Sequence, residues 1–142
     1  RLIRQQQFAT EVESGRYCAS SCPLVLAGGR ERRAGERAAI GVHQVTALVA
    51  NGAALSAIEG MDSVQRMSAE CQKYLLDMAI DPMVWVHAMQ TPADQLFYFT
   101  GDEMLKLKLA TARADESKPS KSNAGDPAGS GQAIPPATPG KS

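Results

Sequence analysis

The segment from Cys18 to Gly29 constrains the fold more than any other part of this sequence. Five small residues, CASSC, precede the apolar run PLVLA, and two glycines follow it. Proline is favoured in the first helical turn, where its missing N–H costs no hydrogen bond, and glycine is favoured just after a helix ends. The pattern predicts a short apolar helix that begins at Pro23, directly after a strand and a tight turn.

Further segments alternate between helix and strand patterns. Residues 2–8 are predicted to be helical, and residues 9–17 to approach a strand through a turn at Gly15. Residues 38–43 are predicted to form a buried strand of small residues, and residues 61–79 an amphipathic helix. Residues 97–99 are predicted to form a strand that precedes a helix capped by Thr100. We interpret 30–33 (RERR) as a solvated loop face and 45–60 as a mobile connection. The alternation predicts an α/β fold with a small, mostly parallel sheet flanked by helices.

Proline also follows a capping residue at two later positions. Asp81-Pro82 and Thr91-Pro92 each match an N-cap with proline at the first helical position. Asp94 lies three residues after Thr91, which completes a capping-box-like arrangement. Both positions are therefore predicted helix starts.

Composition divides the chain into a folded part and a tail. Residues 115–142 carry five prolines, four glycines and a single large apolar side chain, Ile134. Such a segment cannot bury enough apolar surface to offset the entropy of ordering it, so we expect a disordered tail after a domain spanning 1–114.

The chain holds 15 basic and 15 acidic residues, which gives no reason to expect a nucleic-acid partner. No apolar run approaches the ~20 residues of a membrane span.

Three cysteines leave two interpretations open. Cys18 and Cys22 are close enough in sequence to pair, which would leave Cys71 over. Alternatively, all three are small buried apolar residues, as free cysteines usually are, and we favour this second interpretation. The cysteines and the two histidines lack the spacing of a zinc site, and no glycine loop for phosphate is present, so no metal or cofactor is expected.

Ser20 and His43 are the candidate catalytic residues. Ser20 occupies the predicted strand-to-helix turn, as in a nucleophile elbow, although Cys18 and Cys22 stand where the G-x-S-x-G pattern has glycine. A serine hydroxyl needs a base, and histidine titrates near neutral pH. His43 closes the apolar strand 38–43, at the edge of an α/β sheet where ligands bind. The alternative is a histidine that only satisfies local hydrogen bonds.

The run from Cys18 to Gln44 resembles the central segment of the ClpP/crotonase superfamily, and most closely a bacterial periplasmic branch with a C-A-S-x-C elbow and a G-x-H strand. The resemblance implies Ser20 as nucleophile, with Ser21 as second choice, and His43 as general base. It also implies a periplasmic or cell-envelope location and assembly of copies, for which the helix 61–79 is our candidate contact. The substrate would be a peptide or another carbonyl compound.

Two departures from that family's pattern affect the expected activity. The acidic third member would align near Leu96, which cannot orient a histidine, so Asp94 is the nearest candidate for that role or is only a capping residue. The opening residues resemble the tail of a helix, so we expect that the domain is truncated at its N-terminus. A glycine turn that supplies oxyanion donors would then be missing, and losing one donor costs roughly 10²–10³ in turnover.

Three functions are therefore weighed. The first is a serine hydrolase of the peptidase kind, impaired in this fragment. The second is a non-catalytic interaction domain or inactive remnant with the same fold. The third is a crotonase-like acyl-CoA enzyme, which would use paired backbone N–H groups and carboxylates instead of a Ser/His pair, and nothing in the sequence favours it.

Overall fold

The computed structural model describes residues 1–46 and 56–114. The helices and strands in these ranges are, in chain order, α1 (Leu2–Gln5), β1 (Thr10–Val12), β2 (Tyr17–Ala19), α2 (Cys22–Ala27), β3 (Arg32–Ala34), β4 (Ala39–Val42), α3 (Ala57–Asp77), α4 (Met83–Gln90), β5 (Phe97–Tyr98), α5 (Gly101–Lys106) and β6 (Ala112–Arg113). The predicted α/β class is confirmed.

The described strands form two small sheets where the sequence suggested one. One has the order β1-β3-β6, with parallel pairing throughout. The other has the order β2-β4-β5, in which β2 is parallel and β5 antiparallel to the central β4. The first four strands alternate between the two sheets, and β1 and β2 are joined through a turn at Gly15, whose φ of +76° suits glycine. The prediction of a single sheet was wrong, because the sequence of a strand of two to four residues does not indicate which other strand it pairs with.

The core lies between the sheets and the helices. Ile40 on β4 is fully buried, and Val84 on α4 is 1% exposed. Leu26 and Ala27 cover the inner face of α2, as the apolar run predicted. The C-terminal half of α3 joins this core through Leu75 and, just past the helix end, Met78. Residues of α2, β4, α3 and α4 therefore share this core.

The interpretation of residues 30–33 as a solvated loop was wrong for Arg32 and Arg33, which lie in β3, whereas Arg30 and Glu31 are exposed in the loop before it. Arg32 begins β3 and is 4% exposed. Its guanidinium donates to the carbonyl oxygen of Gly29 at 3.1 Å and to that of Lys108 at 2.8 Å. Burial, together with the nearby Arg4, lowers the pKa of Arg32. The burial of Arg32 could not be predicted from the neighbouring charged residues, because one acceptor of its guanidinium, the Lys108 carbonyl, lies 76 residues away in the chain.

Helix α3 begins earlier than predicted, at Ala57, because Ser56 and Glu59 form a capping box. Of the predicted mobile connection, residues 57–60 are therefore helical, and 47–55 lie outside the described residues. Only the C-terminal part of the predicted apolar face is buried: Leu75 is 3% exposed, whereas Met67 is 52% exposed.

Of the three predicted helix caps, the one at Thr100 is present, and the one at Asp81 is displaced by one residue, because Pro82 is the N-cap of α4. The Asp81 carboxylate accepts from the Met83 N–H at 2.9 Å, at the start of α4, and Thr100 forms a capping box with Glu103 at the start of α5. The predicted helix start at Thr91 was wrong. Thr91 instead follows the last residue of α4, and its hydroxyl donates to the His87 carbonyl. The predicted tail, 115–142, lies outside the described residues. Within the described residues, no helix is both long and apolar enough to span a bilayer.

Candidate active site

Ser20 occupies the turn between β2 and α2. Its φ is +64°, in the left-handed region that residues with a side chain rarely adopt. The Ser20 N–H donates to the Gly41 carbonyl at 3.2 Å, which holds the turn against the neighbouring strand β4. Such a conformation costs about 1–3 kcal/mol and persists only where surrounding contacts impose it. The local backbone therefore has the form that sequence reasoning expected of a nucleophile elbow.

A disulfide between Cys18 and Cys22 encloses the elbow. Their Cα atoms are 5.1 Å apart, and Ser20 lies midway between them in the chain. The preference for three unpaired cysteines was therefore wrong, because the turn brings the two ends of this five-residue segment within bonding reach. Cys18 is 1% exposed and anchors the loop in the core. Cys71 stays free, and burial raises the pKa of its thiol.

His43 follows β4 as Ser20 follows β2. The two strands are parallel neighbours, with Ala19 opposite Gly41, so their carboxyl ends meet at one edge of the sheet. The Ser20 Oγ and the His43 Nε2 are 2.8 Å apart, which is hydrogen-bond distance. The structure thus brings the predicted nucleophile and base together. Ser20 is exposed and His43 half-buried, so the pair is open to a ligand.

The second ring nitrogen of His43 defines the tautomer. Nδ1 lies 2.8 Å from the carbonyl oxygen of Gln44. A carbonyl oxygen can only accept a hydrogen bond, so in this arrangement Nδ1 carries the proton. In the neutral ring, the lone pair is then on Nε2 and faces the Ser20 hydroxyl.

Gln44, which holds the histidine ring, is itself held at the end of α4. Its backbone N–H donates to the Thr91 carbonyl at 3.0 Å, and its side-chain amide donates to the Met89 carbonyl at 2.7 Å. The sequence reasoning did not assign Gln44 a role, although it closes the Cys18–Gln44 segment. The backbone carbonyl of Gln44 bonds to His43 Nδ1, which is the nitrogen that the aspartate carboxylate contacts in a Ser-His-Asp triad.

Asp94 is the third predicted member of the site. It is exposed in the turn between α4 and β5, and within the described residues it forms no hydrogen bond with His43. The structure brings Ser20 and His43 together and does not add Asp94 to them. Catalytic roles for all three residues remain predictions.

Two backbone N–H groups at the start of α2 are candidate donors for an oxyanion. Within the described residues, the N–H groups of Ser21 and Cys22 form no hydrogen bond, because they stand at the start of the helix. They follow the nucleophile directly, and the N–H after the nucleophile is one of the two oxyanion donors of an elbow.

A small cavity runs inward from the serine and histidine. Its volume is about 20 Å³, and the residues that line it are Ser20, Pro23, Leu24, Val42, His43, Leu75, Val84, Trp85 and Ala88. No pattern in the sequence indicated this cavity, because its walls come from α2, β4, α3 and α4.

Within residues 1–46 and 56–114, no three His, Cys, Asp or Glu side chains cluster closely enough to hold a metal ion. The chain matches no model of a known protein family and no curated protein.

Proposed function

We propose that this domain is a serine hydrolase of the peptidase kind, with Ser20 as nucleophile and His43 as general base. The observation that carries the proposal is the 2.8 Å contact between Ser20 Oγ and His43 Nε2, with Nδ1 bound to the Gln44 carbonyl. A base must lie within hydrogen-bond reach of the proton that it removes, and the orienting group must leave the correct nitrogen free.

The proposed reaction has two steps. The Ser20 oxygen bonds to the substrate carbonyl carbon while its proton passes to His43 Nε2, and the same proton then passes to the departing amine or alcohol. Water hydrolyses the acyl-serine, again with His43 taking and returning a proton. The negative oxygen formed in each step would accept hydrogen bonds from the Ser21 and Cys22 N–H groups.

A backbone carbonyl is a weaker orienting group than a carboxylate, since it carries no full charge to stabilise the imidazolium. It nevertheless fixes the tautomer, which is the property whose loss is most damaging in a triad. We therefore expect a slow hydrolase that depends fully on Ser20 and His43.

The test is labelling with a fluorophosphonate probe. We expect labelling of the native chain, none of Ser20→Ala, and labelling of Ser21→Ala, which is the matched control one residue away. Mass spectrometry of the labelled peptide identifies the serine. A native chain that does not react, or labelling that survives Ser20→Ala, contradicts the proposal.

The second candidate is a non-catalytic binding domain with the same fold. It is favoured by Asp94, which within the described residues forms no hydrogen bond with the His43 ring. Exchange of His43 for Ala separates the two functions, because a hydrolase loses nearly all turnover whereas a binding domain loses little affinity.

Family and location are proposed on the same basis. The resemblance of residues 18–44 to the ClpP/crotonase superfamily, in its periplasmic branch, supports a serine hydrolase with the ClpP/crotonase-like fold. The Cys18–Cys22 disulfide supports an oxidising compartment such as the periplasm or cell envelope, because disulfides are rare in reducing ones. Fractionation of expressing bacteria tests the location.

We also propose self-association through the helix over residues 61–79, where Met61 and Met67 are 62% and 52% exposed. Light scattering at high protein concentration tests this proposal, and a strictly monomeric chain contradicts it.

A further inference from the structure

The cavity beside Ser20 and His43 has the properties of a specificity pocket. Its polar lining groups are those of Ser20, which is exposed, and His43, which is half-buried, together with the indole N–H of Trp85, which is already bonded to Ser68. The inner residues are apolar and buried, with Leu75 3% exposed and Val84 and Ala88 each 1% exposed. An apolar cleft that ends at a few convergent polar groups is the usual form of a ligand site.

The volume limits what can enter. About 20 Å³ corresponds to little more than one water-sized sphere. Water needs two to four polar partners in such a space, and the inner walls offer none. A single methyl group fits both the size and the apolar character.

Trp85 sets this size limit. It is the largest side chain in the wall, it is 9% exposed, and its indole N–H donates to the Ser68 hydroxyl at 3.0 Å. Ser68 in turn contacts the Met89 sulfur at 3.2 Å, so the indole is held from α3 and from the following turn of α4. The ring cannot turn away from the cavity without breaking the bond to Ser68.

We propose that Trp85 restricts this hydrolase to substrates with glycine or alanine on the acyl side of the bond that is cleaved. This inference rests on the proposed function. A side chain on the residue that carries the attacked carbonyl enters the cavity when the carbonyl carbon approaches Ser20, and only hydrogen or methyl is accommodated.

The test uses blocked aminoacyl p-nitrophenyl esters that differ in one side chain: glycine, alanine, 2-aminobutyrate and leucine. We expect kcat/KM to be highest for alanine and to fall about tenfold or more for each added methylene. Trp85→Ala should raise the leucine rate relative to the alanine rate by at least about tenfold. Ser68→Ala, which removes only the bond to the indole, should shift the preference in the same direction. Val86→Ala, on the exposed side of the same helix, is the matched control and should leave the preference unchanged.

A second readout does not require turnover. Trp85 is the single tryptophan of the chain, so tryptophan fluorescence, excited selectively over the three tyrosines, reports on this side chain alone. Boronic acid analogues of alanine and leucine should differ: the alanine analogue should change the Trp85 emission of the native chain, whereas the leucine analogue should do so only in Ser68→Ala.

The outcomes separate the two claims. Equal alanine and leucine rates in the native chain, or a preference that Trp85→Ala does not move, overturn the pocket assignment and leave the hydrolase intact. Turnover no higher than that of Ser20→Ala overturns the hydrolase, and the boronic acids then decide the pocket: an alanine-selective change in emission supports it, and no change with either analogue overturns it.

Discussion

Cys18 and Cys22 are bonded to each other across Ser20, so the residue that carries the proposed nucleophile lies within a covalent loop of five residues. One end of this loop is buried in the core and the other begins α2. Ser20 has a left-handed backbone conformation although no glycine stands on either side of it. The disulfide restrains the loop in this conformation, which in other elbows is made easier by flanking glycines.

Reduction of this disulfide is expected to lower the rate of fluorophosphonate labelling at Ser20 several-fold and the free energy of unfolding by about 2 kcal/mol, the value for so short a loop. The measurement is the labelling rate with and without dithiothreitol in a Cys71→Ala background, which removes the remaining thiol. The raised pKa of Cys71 makes that thiol a poor nucleophile, so this background should behave as the native chain does. A thiol titration that shows two new thiols alongside an unchanged labelling rate would exclude a role for the disulfide.

Asp94→Asn is expected to change ester turnover by less than about twofold, because His43 is oriented by the Gln44 carbonyl and Asp94 is exposed without a hydrogen bond to the ring. His43→Gln, by contrast, should lower turnover by at least about 10²-fold, the smaller end of the contribution of a general base. Steady-state kinetics of the two variants makes the comparison. A large loss in Asp94→Asn would show that a carboxylate reaches the histidine during catalysis.

Arg32→Met is expected to lower the free energy of unfolding by about 1.5–3 kcal/mol, since it leaves the Lys108 carbonyl without its charged donor, whereas the Gly29 carbonyl still accepts from Arg4. Arg33→Met is the adjacent control. Arg33 lies on the same strand but pairs with Glu31 and Glu11 near the surface, and exposed ion pairs contribute roughly 0–1 kcal/mol. Urea unfolding followed by circular dichroism measures both, and equal losses would contradict the burial of Arg32.

The Thr100–Glu103 capping box should make stability depend on pH. Hydrogen bonds from the Thr100 N–H and then from its hydroxyl lower the pKa of Glu103 below its ordinary value of 4.5. A lowered folded pKa means that the ionised form stabilises the native state above pH 4.5, and that this contribution is lost as the pH falls through the folded pKa. Compared with native protein, Glu103→Gln should be less stable at pH 7, and the difference should shrink below pH 4.5. Glu36→Gln, an exposed control, should show no such convergence in urea titrations across this range.

Gly35→Ala and Gly60→Ala should have opposite effects on stability. A Cβ at Gly35 would meet the backbone nitrogen of Ser14 and lie 2.7 Å from its Cα, so the strand ends must separate, at a cost of about 1–3 kcal/mol. Gly60 lies in α3 with no atom within 4 Å of such a Cβ, and alanine there should stabilise by about 0.5–1 kcal/mol through helix propensity. Thermal unfolding of both variants is the measurement. A stable Gly35→Ala variant would contradict the close approach.

The proximity of Ser20 and His43 could be predicted, because it follows from local sequence patterns and from the way parallel strands are arranged. Each residue ends a small-residue strand, and parallel neighbouring strands end at the same edge. The helix after Ser20 was readable for a similar reason, since Pro23 and the glycines after Ala27 mark its ends locally. Thr100 and Glu103 likewise carry their capping signal within four residues.

The remaining features depend on contacts between segments far apart in the chain. Arg32 reads as a surface charge until the Lys108 carbonyl is placed beside it. Gln44 gains its role from Met89 and Thr91, and Trp85 from a cavity whose walls come from four elements. Thr91 has the sequence of a helix start, but the position of α4 makes it a helix end. No window of neighbouring residues contains this information.

The two sheets also order events during synthesis of the chain. Strand β3 gains its second partner only when Ala112 reaches Arg33, 79 positions later, and the carbonyl that orients His43 is anchored only after Thr91 has been made. Pairings of such long sequence separation form slowly. A nascent chain can therefore shape the turn around Ser20 well before it can direct the histidine ring, so the reactive pair would be completed only when nearly the whole folded part has left the ribosome.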